Sequence, residues 1–308
     1  MGLDCCCLIL AAGKGTRLLP LTKYVPKPLF PILNRPALGL LLNKLTKERI
    51  ARIAVNCHHL GNQIKTWLQQ TKAEGVVTLL EESVLLDTGG AIKNCFEKTG
   101  WQAPLLVYNA DVVSNLSIEK FYNKFLLSHD AKAMFCLHDE PRFNKVKCHN
   151  NGLIGSFNSK DKGSLAYTGI SIFRPECFHN APNGPFSLIP FIENLIQKGT
   201  KIAGCRGEKL TTNGNKWQWH DIGTPKGYLE ANFSQLSQLN QKIFIETSYF
   251  GENVTVRKNV IIGRDSFVDG DLELEDVVIW PKTKVQMNGQ IRNTIFTPFG
   301  NLSSQEYL

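Results

Sequence analysis

The first forty residues place a short apolar run directly before a glycine-rich, basic loop and then before four closely spaced prolines. The run Cys6 to Leu10 has the length of a β-strand, and two alanines lead from it into the loop Gly13 to Arg17. Prolines at positions 20, 26, 28 and 31 forbid a long helix directly after the loop, because proline lacks an amide hydrogen and clashes with the preceding turn. The sequence therefore predicts a strand, an irregular loop, and a helix that begins only at Pro36.

The loop has the composition of an anion-binding segment. Glycine has no Cβ, so backbone N–H groups can approach a phosphate closely. Three cations, Lys14, Arg17 and Lys27, fall within this segment. Neither the Gly-x-x-x-x-Gly-Lys-Ser/Thr spacing nor the third glycine of a dinucleotide-binding fingerprint is present, since Leu18 stands at the latter position. The pattern predicts a phosphate loop of another kind.

Composition narrows the classes of partner. The chain has 308 residues, 43% of them hydrophobic, enough for one large and one small domain. The net charge of +8 suits phosphorylated substrates. Nucleic acid is not the expected partner, because the chain has no dense run of Lys and Arg residues. We expect no membrane contact, because no apolar stretch reaches about 18 residues. We also expect no signal peptide, because the N-terminal residues lack a basic region and a cleavage site.

The nine cysteines are scattered and form no Cys-x-x-Cys pair, which argues against a zinc site. Cys5, Cys6 and Cys7 are expected to be small buried hydrophobes, and unpaired cysteines predict a reducing, cytoplasmic location. The segment Cys57-His58-His59 is interpreted as the end of a strand and not as a metal site.

Strand-like and helix-like patterns alternate up to about residue 240. The predicted strands are Cys6–Leu10, Arg52–Asn56, Leu105–Tyr108, Ala133–Leu137, Ala166–Phe173 and Lys201–Cys205. The predicted helices include Pro36–Glu48, Gly61–Thr71, Ile118–Ser128 and Ile189–Lys198. Such alternation predicts an α/β fold with a mostly parallel sheet, whose ligands bind at the carboxyl ends of the strands. The glycine-rich loop lies at that edge.

A different repeat begins after a Gln/Ser-rich junction at Ser234 to Gln241. Apolar residues then recur every sixth position: Phe250, Val256, Ile262, Val268 and Leu274. This period favours a parallel β-helix of about three coils, with an ordinary β-meander as the alternative. We therefore predict a domain over 1–240, a hexapeptide-repeat β-helix over 241–300 and a tail over 301–308.

The string from Gly13 to Thr22, followed by Pro26-Lys27-Pro28-Leu29, resembles the signature of the sugar-1-phosphate nucleotidylyltransferases, or nucleotide-sugar pyrophosphorylases. This resemblance implies a Rossmann-like, mostly parallel sheet flanked by helices, with a short C-terminal left-handed parallel β-helix. It also implies Mg²⁺-dependent transfer of a nucleotidyl group from a nucleoside triphosphate to a sugar 1-phosphate, with release of pyrophosphate. The segment Leu85 to Gly90 is nearest the N-acetylmuramate uridylyltransferases and the mannose or heptose guanylyltransferases, so GTP or UTP is expected.

The resemblance carries the family's nucleotide site onto this chain. Arg17 would hold the leaving β,γ-phosphates, and Lys27 would bridge the α-phosphate and the incoming sugar phosphate. The remaining nucleotide-binding positions are Leu10, Ala11, Ala12, Gly13, Lys14, Gly15, Thr16, Glu82, Thr88, Gly89 and Gly90. Glu82 stands where relatives often place a base-reading glutamine, and its alternative is a solvated surface glutamate. Asp87 replaces a glycine that is common in the family.

Two aspartates are the expected metal ligands. Asp111 follows an apolar strand, and Asp221 lies in Trp219-His220-Asp221-Ile222-Gly223, which resembles the family's Trp-x-Asp-Ile-Gly motif. Mg²⁺ commonly takes one or two carboxylates together with substrate phosphates. The alternative for each aspartate is a helix cap or turn residue.

The sugar-phosphate site departs further from the family pattern. Of the family's Glu-Glu-Lys-Pro motif, this chain has only the lysine, Lys160, which would hold the sugar phosphate. Lys145 is the alternative residue for that role. Either lysine could instead be a solvated loop residue. Thr168 and Gly169 lie in a segment that resembles the strand lining the sugar pocket, or else are ordinary sheet residues.

Two other classes of function remain open. A non-catalytic regulatory or scaffold subunit would share the fold but tends to lose the Arg, Lys and Asp set that is present here. A β-helix acyltransferase would need a catalytic histidine, which the repeat segment does not supply. We expect the β-helix to mediate homo-oligomerisation instead. The base, the sugar and the oligomeric state are left open by the sequence.

Overall fold

A computed structural model describes residues 2–304, apart from the side chain of Glu74. Its helices are α1 Ala37–Lys47, α2 Gly61–Gln70, α3 Asp87–Thr99, α4 Ile118–Leu126, α5 Leu188–Gln197 and α6 Pro225–Gln238. Its strands are β1 Cys6–Leu10, β2 Pro31–Ile32, β3 Arg35–Pro36, β4 Arg52–Cys57, β5 Val77–Glu81, β6 Leu105–Asn109, β7 Val112–Ser114, β8 Ala133–His138, β9 Lys147–Cys148, β10 Ile154–Ser156, β11 Ala166–Phe173, β12 Ile202–Arg206, β13 Trp219–Asp221, β14 Ile243–Ile245, β15 Tyr249–Phe250, β16 Val254–Ile262, β17 Phe267–Asp269, β18 Leu272–Ile279, β19 Lys284–Gln286, β20 Gly289–Thr297 and β21 Gly300–Ser303.

The chain divides into two compact units. The first unit comprises residues 2–13 and 42–217, and the second comprises residues 14–41 and 218–304. Each unit is therefore built from two separated stretches of chain, and the chain passes from one unit to the other inside the glycine-rich loop. These units do not follow the predicted domain boundary at residue 240, and the domain assignment stays a prediction.

The first unit contains a seven-stranded sheet in the order β12-β8-β11-β6-β1-β4-β5. Strand β1 runs parallel to β4 and β6, β4 runs parallel to β5, and β12 runs parallel to β8. Only β11 is antiparallel to its neighbours, so β6 and β8 point in the same direction. Helices accompany this mostly parallel sheet, and the predicted Rossmann-like α/β class is confirmed.

Continuous burial of the central strands explains why this sheet forms. Strand β8 is buried along its whole length, and β1 is buried from Cys6 to Ile9, as expected for strands covered on both faces. Cys5 is also buried, and burial raises the pKa of its thiol to about 12. All nine cysteines are free thiols. The expectation that the N-terminal cysteines act as small core residues is confirmed.

The second unit contains two parallel β-sheets formed by successive coils. One joins β14, β16, β18 and β20, and the other joins β15, β17 and β19. Val254 pairs with Leu272 and Leu272 pairs with Gly289, so each coil takes 17 or 18 residues, or three six-residue repeats. This parallel stacking rules out a β-meander, in which the strands would alternate in direction. Handedness stays a prediction.

The interior of this stack is apolar. Val260, Ile262, Val268, Leu274 and Ile279 are buried in one cluster, which includes three of the five positions that carried the predicted repeat. Strand β21 pairs antiparallel with β20 after the last coil. Of the predicted tail 301–308, residues 305–308 lie outside the described residues. No helix within 2–304 is both long and apolar enough to cross a membrane.

Candidate active site

The carboxyl end of β1 gives the candidate nucleotide loop a defined start. Leu10 is half-buried, and Ala11 and Ala12 are buried. Gly13 is exposed, and a Cβ there would meet no heavy atom within 4 Å. The backbone at Gly13 is therefore open to solvent, and its contact with a phosphate stays a prediction.

A chain of hydrogen bonds connects this strand end to the candidate base-reading residue. The Ala11 N–H donates to Asn56 Oδ1 at 2.7 Å, and Asn56 Nδ2 donates to Glu82 Oε1 at 2.7 Å. Glu82 Oε2 in turn accepts from the Leu86 N–H at 3.1 Å. Glu82 is only 7% exposed, so it is not a solvated surface residue. The network links the carboxyl ends of β1 and β4 to the segment before α3. Asn56 was not among the site residues predicted from the sequence.

The second glycine segment forms the start of α3. Gly89 and Gly90 both donate their N–H groups to the Phe186 carbonyl, at 3.0 and 3.1 Å. A Cβ at Gly89 would lie 2.4 Å from the Phe186 ring, and one at Gly90 would lie 2.6 Å from the Gly184 carbonyl oxygen. These glycines therefore allow the close approach of residues 184–186. Half-buried Thr88 adjoins them, and their contact with a base stays a prediction.

Asp87 occupies the position where the family often has glycine. Its φ is +58°, in the left-handed region that glycine tolerates best. Its carboxylate accepts hydrogen bonds from the Thr88 N–H and the Ser187 hydroxyl. Aspartate is among the residues that enter this region through local hydrogen bonding, which explains the exchange.

In the second unit, the glycine-rich loop continues as a tight turn, Thr16–Leu18. Gly15 precedes this turn with φ +63°, and its carbonyl accepts from the buried Thr22 hydroxyl at 3.1 Å. Lys14, Thr16 and Arg17 are exposed. The turn thus presents two cations to solvent from a backbone fixed at Gly15.

Replacing Gly15 by alanine is expected to disturb this turn. A Cβ would lie 2.8 Å from Thr22 Cγ2, and alanine at φ +63° is strained by about 1 kcal/mol or more. We expect a lower melting temperature and a weaker affinity for nucleoside triphosphate. Thermal denaturation and nucleotide titration measure the two effects. Gly100→Ala is the matched control, since Gly100 also has φ +65° but nothing lies within 4 Å of its Cβ position. Equal nucleotide affinity for the two variants would contradict this role of Gly15.

Lys27 begins the third short turn of this segment, Lys27–Leu29, after Thr16–Leu18 and Leu21–Lys23. Pro26 stands directly before Lys27 and Pro28 directly after it. Because proline fixes φ, the backbone is rigid on both sides of this half-buried lysine. The Phe30 N–H donates to the Lys27 carbonyl at 3.0 Å. The direction in which the Lys27 side chain leaves the backbone is therefore set by a rigid segment.

Asp221 is held beside Arg17 in the second unit. Its Oδ1 accepts from the Gly223 N–H at 2.7 Å, and its Oδ2 lies 3.7 Å from Arg17 Nη2. A Cβ at Gly223 would lie 2.5 Å from the same Arg17 nitrogen and 2.7 Å from Asp221 Oδ1, so a larger residue there would displace this pair. Asp221 does not cap the next helix, since the N-cap of α6 is Thr224, whose side chain accepts from the Gly227 N–H.

Asp111 lies in the first unit, in the two-residue turn between β6 and β7, and is half-buried. It is not a helix cap either, because Ser117 caps α4. Within the described residues, no group of three or more His, Cys, Asp or Glu side chains is arranged to hold a metal ion. Asp111 and Asp221 each supply the oxygen donors that Mg²⁺ prefers, and their joint role as metal ligands stays a prediction.

The predicted sugar-phosphate residues fall into two groups. Thr168 is buried in β11 and donates to the Cys136 carbonyl at 2.8 Å, and Gly169 has φ +80° with Asn109 packed against it. Lys145 and Lys160 are exposed. Their segments adjoin, because the Ser159 N–H donates to the Lys145 carbonyl at 2.8 Å. The two rival lysines therefore belong to one surface, and the choice between them stays open.

Three comparisons with known proteins bear on this arrangement. Residues 6–238 match the family model described as nucleotidyl transferase. The chain belongs to this family. The match covers the whole first unit from β1 onwards and ends at the last residue of α6, so it includes the glycine-rich loop, Asp111 and Asp221.

Individual relatives of the family are similar at moderate identity. An N-acetylmuramate alpha-1-phosphate uridylyltransferase of Caulobacter vibrioides is 28% identical over 73% of this chain and 94% of its own length. Mannose-1-phosphate guanylyltransferase 1 of Arabidopsis thaliana is 26% identical over 94% of this chain and 84% of its own. The crystal structure of HddC from Yersinia pseudotuberculosis complexed with GMP-PN superposes with a TM-score of 0.62. It is 23% identical, over 76% of this chain and all of that chain, and supports the fold alone.

Proposed function

We propose that this chain transfers a nucleotidyl group from a nucleoside triphosphate to a sugar 1-phosphate, with release of pyrophosphate. The observation that carries the proposal is the constellation in the second unit, where Arg17 lies 3.7 Å from Asp221 and Lys27 is set in a rigid turn of the same signature segment. The family membership and the names of the relatives support the same chemistry.

The reaction needs no general base. A sugar 1-phosphate carries an anionic oxygen at neutral pH, and this oxygen attacks the α-phosphorus while pyrophosphate leaves in line. The barrier comes from bringing two polyanions together, so catalysis rests on positioning and on neutralising charge. Lys27 would hold the α-phosphate next to the sugar phosphate, and Arg17 would hold the leaving β- and γ-phosphates.

Asp111 and Asp221 would hold the magnesium ion together with phosphate oxygens of the nucleotide. The bound ion would supply positive charge that offsets the charge developing on the transferred and leaving phosphates. Arg17 lies next to Asp221. When nucleotide binds, the same guanidinium would turn to the phosphates and leave the carboxylate to the ion.

GTP or UTP is the proposed nucleotide. The relatives named above include a uridylyltransferase and a guanylyltransferase, and Glu82 lies buried at the strand edge with both oxygens already accepting hydrogen bonds. A carboxylate held in this way has remaining lone pairs that could accept hydrogen bonds from a guanine edge. Guanine is therefore slightly favoured by the residue itself.

A panel assay tests the proposal. Pyrophosphate release is measured with Mg²⁺ for GTP, UTP, CTP, dTTP and ATP, each against hexose, N-acetylhexosamine, muramate and heptose 1-phosphates. We expect release that requires one triphosphate and one sugar phosphate together. Binding of a triphosphate without turnover across the panel would favour the regulatory-subunit alternative, and no triphosphate binding would overturn the nucleotide site.

A further inference from the structure

The C-terminal β-helix contacts the segment that carries Lys27. The hairpin that follows the Lys27 turn, β2 and β3, belongs to the second unit together with α6 and the coils. Within this unit, the hairpin is held by three side chains far away in sequence, namely Tyr228, Asn232 and Trp280. All three are at most 4% exposed.

Trp280 and Tyr228 form a relay to the hairpin backbone. Trp280 Nε1 donates to Tyr228 Oη at 2.9 Å, and the Tyr228 hydroxyl donates to the Pro31 carbonyl. Burial raises the pKa of Tyr228, so its hydroxyl stays protonated and remains a donor at neutral pH. The relay joins the residue that follows β18 to a carbonyl four positions after Lys27.

Phe30 fixes the turn from its other side. Its ring is fully buried, and it meets the Trp280 ring edge-on at 4.7 Å and the Tyr228 ring edge-on at 5.8 Å. Its N–H group closes the Lys27 turn, and its carbonyl accepts from Ala37 at 3.0 Å. The residue that directly follows the Lys27 turn is therefore packed against the same two aromatic rings that form the relay.

The tip of the hairpin is anchored as well. Leu33 and Asn34 have φ of +44° and +60°, as a two-residue hairpin turn requires, although leucine rarely adopts such angles. Asn232 Oδ1 accepts from the Leu33 N–H at 3.0 Å, and Asn34 Nδ2 donates to the Ile262 carbonyl at 3.1 Å. The hairpin is thus held at its base by the relay and at its tip by α6 and β16.

We propose that Trp280 is a positioning residue for Lys27, acting through Tyr228 and the Pro31 carbonyl. This rests on the proposed function, which gives Lys27 its role at the reacting phosphates. A small displacement of a charged group from its productive position costs a large part of its effect on the rate. The β-helix then contributes to the reaction within a single chain, in addition to any part that it has in assembly.

The test compares Trp280→Phe, Tyr228→Phe and the double variant with a matched control, Tyr122→Phe. Tyr122 is also buried and its hydroxyl donates to a backbone carbonyl, that of Asp4, at 2.9 Å in the first unit. Each relay variant is expected to lower kcat about fivefold to tenfold, with both KM values changed less than about twofold. Tyr122→Phe is expected to lower thermal stability without lowering kcat.

Two further readouts separate positioning from general stability. The double variant should be no slower than the slower single variant, because both changes break one relay. Hydrogen exchange should become faster in residues 27–37 of both relay variants, with no substrate present. Unchanged kcat in Trp280→Phe and Tyr228→Phe, multiplicative effects in the double variant, or unchanged exchange would each overturn the proposal. Normal turnover of Lys27→Ala would instead overturn the proposed role of Lys27 itself.

Discussion

Replacing Lys27 by alanine is expected to lower kcat/KM by about 10²–10³-fold, by analogy with the loss of one donor to a developing oxyanion. The physical reason is charge, because the ammonium group is proposed to lie between two anionic phosphates that otherwise repel each other. The backbone of the turn should survive, since Pro26 and Pro28 fix it and the Phe30 N–H bonds to the Lys27 carbonyl rather than to its side chain. Steady-state pyrophosphate release with the preferred substrate pair measures the effect.

Lys23→Ala is the control for that experiment. Lys23 is exposed at the end of the preceding short turn, Leu21–Lys23, and carries the same charge into the same segment. We expect its rate to remain within about twofold of the parent. An equal loss in both variants would mean that general positive potential, and not a placed ammonium group, accounts for the effect. Near-normal turnover of Lys27→Ala would remove Lys27 from the mechanism.

Six of the seven strands of the central sheet could be predicted because they are apolar runs between turn residues, whereas β5 was not predicted. The bounds of β1 and β11 agree with the sequence prediction, and those of β4, β6 and β8 differ by one residue. Helix α3 was not predicted, because Asp87-Thr88-Gly89-Gly90 has poor helix propensity and suggests a loop. Contact with residues 184–186, almost a hundred positions later, overrides that propensity. No local sequence pattern could have predicted this contact.

The repeat in the C-terminal region shows what periodicity can and cannot supply. Period six correctly predicted stacked parallel strands around Val268 and Leu274. It could not predict that the Trp280 ring packs against Phe30, because that contact joins residues 250 positions apart. Nor could it predict the antiparallel strand β21 at the end of the stack.

Part of the candidate site came from resemblance and part from three-dimensional structure. Arg17, Lys27 and Asp221 were assigned by motif, and the structure brings Arg17 and Asp221 to 3.7 Å. Asn56 was treated only as the end of a strand, although its amide links Ala11 to Glu82. A buried asparagine at the carboxyl end of a strand beside the phosphate loop is the signal that could have identified it.

Replacing Asp221 by asparagine is expected to lower kcat/KM by about 10²–10³-fold and to raise the Mg²⁺ concentration needed for half-maximal rate. The amide oxygen of asparagine can still accept from the Gly223 N–H, so the local turn is retained. The lost ion pair with Arg17 should change the free energy of unfolding by only about 0–1 kcal/mol, because Arg17 is 56% exposed. Initial rates as a function of Mg²⁺ concentration, together with thermal denaturation, measure both effects.

Asp130→Asn is the matched control, because Asp130 is exposed and pairs with Lys201 outside the candidate site. Its metal dependence should be that of the parent. Arg17→Gln separates the two roles open to Asp221: it removes the guanidinium but leaves the carboxylate, so activity should fall while the half-maximal Mg²⁺ concentration stays low. If Asp221→Asn and Arg17→Gln instead share one metal dependence, Asp221 acts by orienting Arg17 and is not a metal ligand.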